Sequence, residues 1–167
     1  MATSRQDVVQ AALQLERDGR KFYLDAASKA ANDVARSWFE SFADDELRHI
    51  EWIQQLSAGE GTVNRAKKEM YSRLSGIFRD APETARRAAL ESENDMEAIR
   101  LATAMEEKSV AAYVKWAEES EDQDLRDLCN VLADYERLHV DLLQNAAQYL
   151  SDPAEWFRQE ERWIVEG

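Results

Sequence analysis

The 167-residue sequence predicts an all-α fold: a four-helix bundle with a long helical crossover between helices two and three and a short C-terminal fifth helix. Three observations predict it. Glycine and proline are scarce, five and two in the whole chain, so long helices can run without interruption. Apolar residues recur in alternating steps of three and four along four segments, which is the seam of a helical bundle. The two halves also repeat, because a shift of 90 residues superimposes the seam of one on the seam of the other.

The first helix opens at Ser4 and Asp7, which stand at capping-box spacing. Its stripe is Val9, Ala12, Glu16, Gly19, Tyr23, Ala26 and Ala30. A second helix reads from about Val34 to Leu56 and stops near Gly59 and Gly61, with the stripe Ala35, Phe39, Phe42, Glu46, His49, Ile53 and Leu56. The connection from about Ser57 to Asn94 is long. Within it, residues 64–79 carry Ala66, Met70, Leu74 and Ile77 on one side, and a stop follows at Pro82. The third helix is expected over about Asp95–Ser120, with Asn94 and Glu97 in capping-box positions and Ile99, Ala102, Glu106, Ser109, Tyr113 and Trp116 on its stripe. The fourth covers about Gln123–Leu150, through Leu125, Cys129, Leu132, Glu136, His139, Leu143, Ala146 and Leu150. The bundle thus occupies residues 1–150 as two pseudo-repeats, about 4–56 and 94–150, and residues 151–167 read as an amphipathic helix with Trp156, Phe157, Trp163 and Ile164 on its apolar side. Packing against the end of the bundle is the plainer role for that tail, and a dimer or donor contact the sharper one.

Composition excludes several classes. Asp and Glu number 34 against 21 Lys and Arg, a formal charge of −13, which argues against nucleic acid and against an anionic membrane surface. No 18-residue apolar run and no leader-like start are seen, so neither a membrane span nor a signal peptide is expected, and the cytoplasm is the simplest location. The lone Cys129 excludes an intrachain disulfide and any cysteine-based metal site, and reads as a small buried hydrophobe.

The stripes carry the chemistry. Glu16, Glu46, Glu106 and Glu136 fall on core positions, as do His49 and His139, the only two histidines of the chain. A glutamate ordinarily faces solvent, and Asp45, Glu51 and Glu107 lie off the seam and keep that reading. The shift of 90 residues lands Glu16 on Glu106, Tyr23 on Tyr113, Glu46 on Glu136 and His49 on His139. Four carboxylates and two imidazoles in one dry core carry a heavy desolvation and repulsion cost, which two divalent cations would offset. Residues at i and i+3 share a helix face, so each Glu-x-x-His pair can reach the same ions. One lone Glu and one Glu-x-x-His per half is the di-iron or di-manganese carboxylate pattern, and imidazole with carboxylate suits iron or manganese better than a soft metal.

The segments "LERDGRKFY", "DDELRHIEWI", "AMEEKSVAAY" and "DYERLHVDLL" resemble the four helices of the ferritin-like superfamily, and most closely a rubrerythrin, over roughly residues 4–150. The resemblance implies that Glu16, Glu46, Glu106 and Glu136 are ligands to two iron ions per chain (manganese being the alternative), with Glu46 and Glu106 placed to bridge or to face the second half. It implies that His49 and His139 cap the two ions, and that Tyr23 and Tyr113 hydrogen-bond ligand carboxylates. On the residues alone, each tyrosine is equally well a core aromatic with a satisfied hydroxyl.

The implied activity is an oxidoreductase that reduces hydrogen peroxide or oxygen. Rubrerythrins carry a rubredoxin domain with four cysteines that is absent here, so the electrons are expected from a separate donor protein. The alternative is a ferroxidase or iron-handling protein that oxidises Fe(II) and passes it on. Ser109 stands where many rubrerythrins have a further glutamate. A homodimer is expected, and the long crossover is compatible with domain swapping.

Overall fold

Ser4 accepts a hydrogen bond from Asp7 N at 3.2 Å while the Asp7 carboxylate reaches back to Ser4 N, and the capping box expected from sequence starts the first helix there. The computed structural model describes residues 4–31, 33–60, 66, 93–152 and 155–156, apart from the side chains of residues 93 and 94. Its helices are α1 (Arg5–Lys29), α2 (Asp33–Ser57), α3 (Glu93–Glu119) and α4 (Gln123–Ser151). Asp122 caps α4 by accepting from Leu125 N at 3.0 Å. The chain is already helical at Glu93, so Asn94 lies inside α3 rather than at its N-cap, contrary to the sequence expectation. The helical stretch expected over 64–79 lies outside the described residues, save Ala66, which is buried.

Helices α1 and α2 pack as one hairpin, and α3 and α4 as the other, while α1 meets α3 and α2 meets α4 between the hairpins. Tyr113 pairs with Glu16 and Tyr23 with Glu106, so α1 and α3 run antiparallel. One apolar cluster gathers Val8, Val9, Leu56, Ala117 and Leu125, the start of α1 and α4 with the finish of α2 and α3. A second gathers Ala27, Ala30, Ala35, Ile99, Ala146 and Leu150 at the opposite end. Helix α2 therefore ends, and α3 begins, at opposite ends of the bundle, which is why a long connection is needed between them.

Each end is tied by a polar contact between hairpins. Arg5, at the start of α1, pairs with Asp122 of the α3–α4 turn and donates to Leu56 O at 3.0 Å. At the other end buried Asp95, early in α3, accepts from Ala31 N in the α1–α2 turn at 3.2 Å. Of the tail, Trp156 is buried, donates through Nε1 to Asn145 and meets the Tyr149 ring edge-on at 5.4 Å between centroids. Phe157, Trp163 and Ile164 lie outside the described residues, so the rest of the expected fifth helix does too. No helix among the described residues is long and apolar enough to cross a membrane.

Candidate metal centre

Between the two apolar clusters lies a polar layer made by the middle turn of each helix. Glu16 comes from α1, Glu46 and His49 from α2, Glu106 from α3, and Glu136 and His139 from α4, all of them 5% exposed or less. The i, i+3 spacing puts each Glu–His pair on one face, and the three-four stripe turns that face inward. The six residues form two groups: Glu16, Glu46, His49 and Glu136, and then Glu46, Glu106, Glu136 and His139. Within each group every residue offers a ligand atom within 4.8 Å of the others. Glu46 and Glu136 belong to both groups. The shared pair is thus Glu46 with Glu136, one from each hairpin, and Glu106 belongs to a single group.

Both imidazoles present Nδ1 to the carboxylates. His49 Nδ1 lies 2.9 Å from Glu16, 3.3 Å from Glu136 and 3.7 Å from Glu46. His139 Nδ1 lies 3.0 Å from Glu136, 3.5 Å from Glu106 and 3.6 Å from Glu46. The two rings stack, with centroids 5.7 Å apart. Tyr23 donates its hydroxyl to Glu106, and Tyr113 donates its own to Glu16, so each tyrosine serves the carboxylate of the other hairpin.

Without cations these groups hold one another away from their ordinary charges. Burial, together with the Glu16 and Glu136 carboxylates, pushes Glu46 well above the usual carboxylate range. Burial and Glu136 raise Glu106 to about 7. For His139, burial would lower the pKa, but the Glu106 and Glu136 carboxylates outweigh it and lift the ring to about 10. His49 is raised in the same way, against burial, by Glu16 and Glu136. Glu136 is held below the carboxylate range, because the two imidazoles outweigh its desolvation. Both phenols are pushed well above their usual value by burial and by the neighbouring carboxylates, which keeps them protonated as donors.

A pair of divalent cations fits this cage. Glu46 Oε1 is buried without a hydrogen-bond partner, and Glu136 Oε2 and His139 Nδ1 approach each other at 3.0 Å without aligned hydrogen-bond geometry; all three belong to one ligand group. Buried polar atoms are rarely left so. Four carboxylates would offset the charge of two dications, with hard oxygen and imidazole donors suited to iron or manganese.

One position departs from the sequence reading. Asp45 is not solvated: it is 3% exposed, and its Oδ2 sits 3.6 Å from His139 Nε2 while Oδ1 accepts from Arg48 at 3.0 Å. Helix α2 is buried over more than one stripe, since it packs against both α1 and α4. The repeat held the missed signal, because position 45 falls on Tyr135, a large aromatic. Ser109 is buried, and its hydroxyl donates to Met105 O at 3.2 Å, so its proton goes to its own helix rather than toward the centre. Gly19, its counterpart, leaves room for Glu46, whose Cδ and Oε2 would lie 3.4 Å from an added Cβ.

Comparison with solved structures finds a hypothetical protein from Pyrococcus furiosus with a TM-score of 0.63 and 21% identity, covering 89% of this chain and 91% of that one, a likeness of fold. Comparison with curated proteins finds no match. The rubrerythrin family model matches residues 7–147, nearly the whole bundle, with all six convergent residues inside that span. The chain belongs to the rubrerythrin family.

Proposed function

We propose that the protein is an oxidoreductase that reduces hydrogen peroxide or oxygen at a two-iron centre, taking electrons from a separate donor protein. The observation that carries this reading is the sharing of Glu46 and Glu136 by two otherwise separate ligand groups. Sharing would set two ions side by side, as two-electron chemistry on one O–O bond requires. Glu16, Glu46, Glu136 and His49 would hold one ion, and Glu46, Glu106, Glu136 and His139 the other. Two ferrous ions, when bound, supply the two electrons that cleave the O–O bond of a peroxide.

The chain's own residues prepare the site for that chemistry. Tyr23 and Tyr113 fix the orientation of Glu106 and Glu16 by donating to one oxygen of each. The apolar clusters above and below keep bulk water from the layer. The net charge of −13 favours the approach of cations. A small assembly, most simply a dimer, accompanies this reading.

The test is metal content followed by turnover. Protein loaded anaerobically with Fe(II) should hold two ions per chain, absorb in the near ultraviolet once oxidised, and consume one peroxide per two electrons from an added reductant. One ion or none per chain in metal-replete protein would sink the paired centre. Iron accumulating far beyond two per chain, in a large shell seen by light scattering, would instead favour iron handling.

A further inference from the structure

The two ligand groups are near copies. Each has three carboxylates and one imidazole, each imidazole presents Nδ1 inward, and each unshared glutamate is held by a tyrosine of the opposite hairpin. The copy fails behind the histidines. Behind His139, Asp45 Oδ2 faces Nε2 at 3.6 Å, an ion-pair distance rather than a hydrogen bond, with both side chains almost fully buried. Behind His49, the repeat puts Tyr135 in place of Asp45 and Trp52 in place of Leu142. There the imidazole meets rings: Tyr135 edge-on at 5.0 Å and Trp52 tilted at 5.5 Å between centroids. Both Nε2 atoms are buried without a hydrogen bond, but that of His139 faces a carboxylate and that of His49 faces rings.

We infer that the two metal positions are unequal: the ion held by His139 with Glu46, Glu106 and Glu136 binds first and tightly, and the ion held by His49 with Glu16, Glu46 and Glu136 is the weaker and exchangeable one. The inference rests on the two-metal reading above and deepens it. A carboxylate behind the outer N–H of a ligating imidazole fixes the tautomer that frees Nδ1, orients the ring and raises the ligand's basicity. It also adds a negative charge to one side of a dry site, where charges are weakly screened. A neutral aromatic wall supplies neither. Partners of this kind change metal affinity by about 10- to 100-fold. Asp45 is a positioning residue in this account, acting through His139, and its ion pair with Arg48 (3.0 Å) anchors it on the solvent side.

The experiment is calorimetric titration of metal-stripped protein with Co(II), with the visible bands of bound Co(II) followed in parallel. Wild type should take up two ions in two resolved steps whose affinities differ by about 10- to 100-fold. His139→Ala should remove the tight step, and His49→Ala the weak one. Asp45→Asn, nearly isosteric, should still take two ions but bring the steps together by weakening the first. Tyr135→Phe should leave the separation as it is. Two ions bound in wild type with equal affinity, or a separation unmoved in folded Asp45→Asn, would overturn the inference and leave the paired centre standing. A total of one ion or none would overturn both.

Discussion

Tyr23 on α1 donates its hydroxyl to Glu106 on α3, 83 positions away and in the other hairpin. The bond clamps the two hairpins together at the polar layer. Tyr23→Phe keeps the ring, which stacks on Phe42 at 5.1 Å and Phe39 at 6.3 Å. Only the donor is lost. Removing a buried bond to a charged group should lower stability by about 1.5–3 kcal/mol. Urea denaturation of wild type, Tyr23→Phe and Tyr113→Phe checks this, and the two substitutions should cost similar amounts. A change near zero would mean that the phenols act only as packing.

Shared and unshared carboxylates should behave differently. Glu46→Ala or Glu136→Ala removes a ligand from both groups, and the metal-to-protein ratio should fall from two toward zero. Glu16→Ala or Glu106→Ala strips one group only, and one ion should remain. Elemental analysis after metal loading and desalting gives the ratio directly. Equal losses from all four variants would show that Glu46 and Glu136 have no special place.

Metal-free protein should lose stability as the pH rises from mildly acidic to alkaline. Glu106 titrates at about 7 against an ordinary 4.5, and His139 at about 10 against 6.5, so both hold their protons more tightly when folded. Glu46 and His49 are raised as well. A raised group contributes stability that is fully present below its unfolded pKa and is lost as pH climbs through its folded pKa. Glu136, which is lowered, has the opposite sign, and its contribution fails only in strong acid. The melting temperature of chelator-treated protein should therefore decline from about pH 4.5, where Glu106 begins to lose its contribution, to about pH 10, where His139 has lost its own. Loaded protein should resist that decline, because bound cations replace the protons. Scanning calorimetry of both forms decides it, and a flat profile for the metal-free form would contradict this electrostatic account.

Helices and seam were legible because both follow periodicities that a linear sequence displays. The 33–57 and 123–151 helices differ from the expected 34–56 and 123–150 only at fraying ends. The six convergent residues were legible because polar side chains broke an apolar stripe twice, at the same offsets. Asp45 was not. A single stripe describes a helix with one buried face, whereas α2 also buries Asp45, Ile50 and Trp52. Which carboxylates are shared was equally hidden, because it depends on how the hairpins dock rather than on spacing within either. The swap of Asp45 for Tyr135 stood in the repeat, but only the distance to His139 gave it meaning.

Gly19 links helix stability to the centre. It lies in the interior of α1, where glycine costs about 1 kcal/mol relative to alanine. A Cβ there would meet Glu46 Cδ and Oε2 at 3.4 Å, the near edge of ordinary contact, so alanine fits without moving backbone. Ser109 at the equivalent place on α3 shows that the other hairpin accepts a side chain. Gly19→Ala should therefore stabilise the metal-free protein by up to about 1 kcal/mol. The same methyl presses on a carboxylate that both ions would share, restricting its swing toward either. Metal affinity should fall by about tenfold as a result. Chemical denaturation of stripped protein and competition with a chromophoric chelator measure the two effects separately. Opposite signs are expected from one methyl group, and a variant that gained stability without losing affinity would show that Glu46 does not need the space Gly19 leaves.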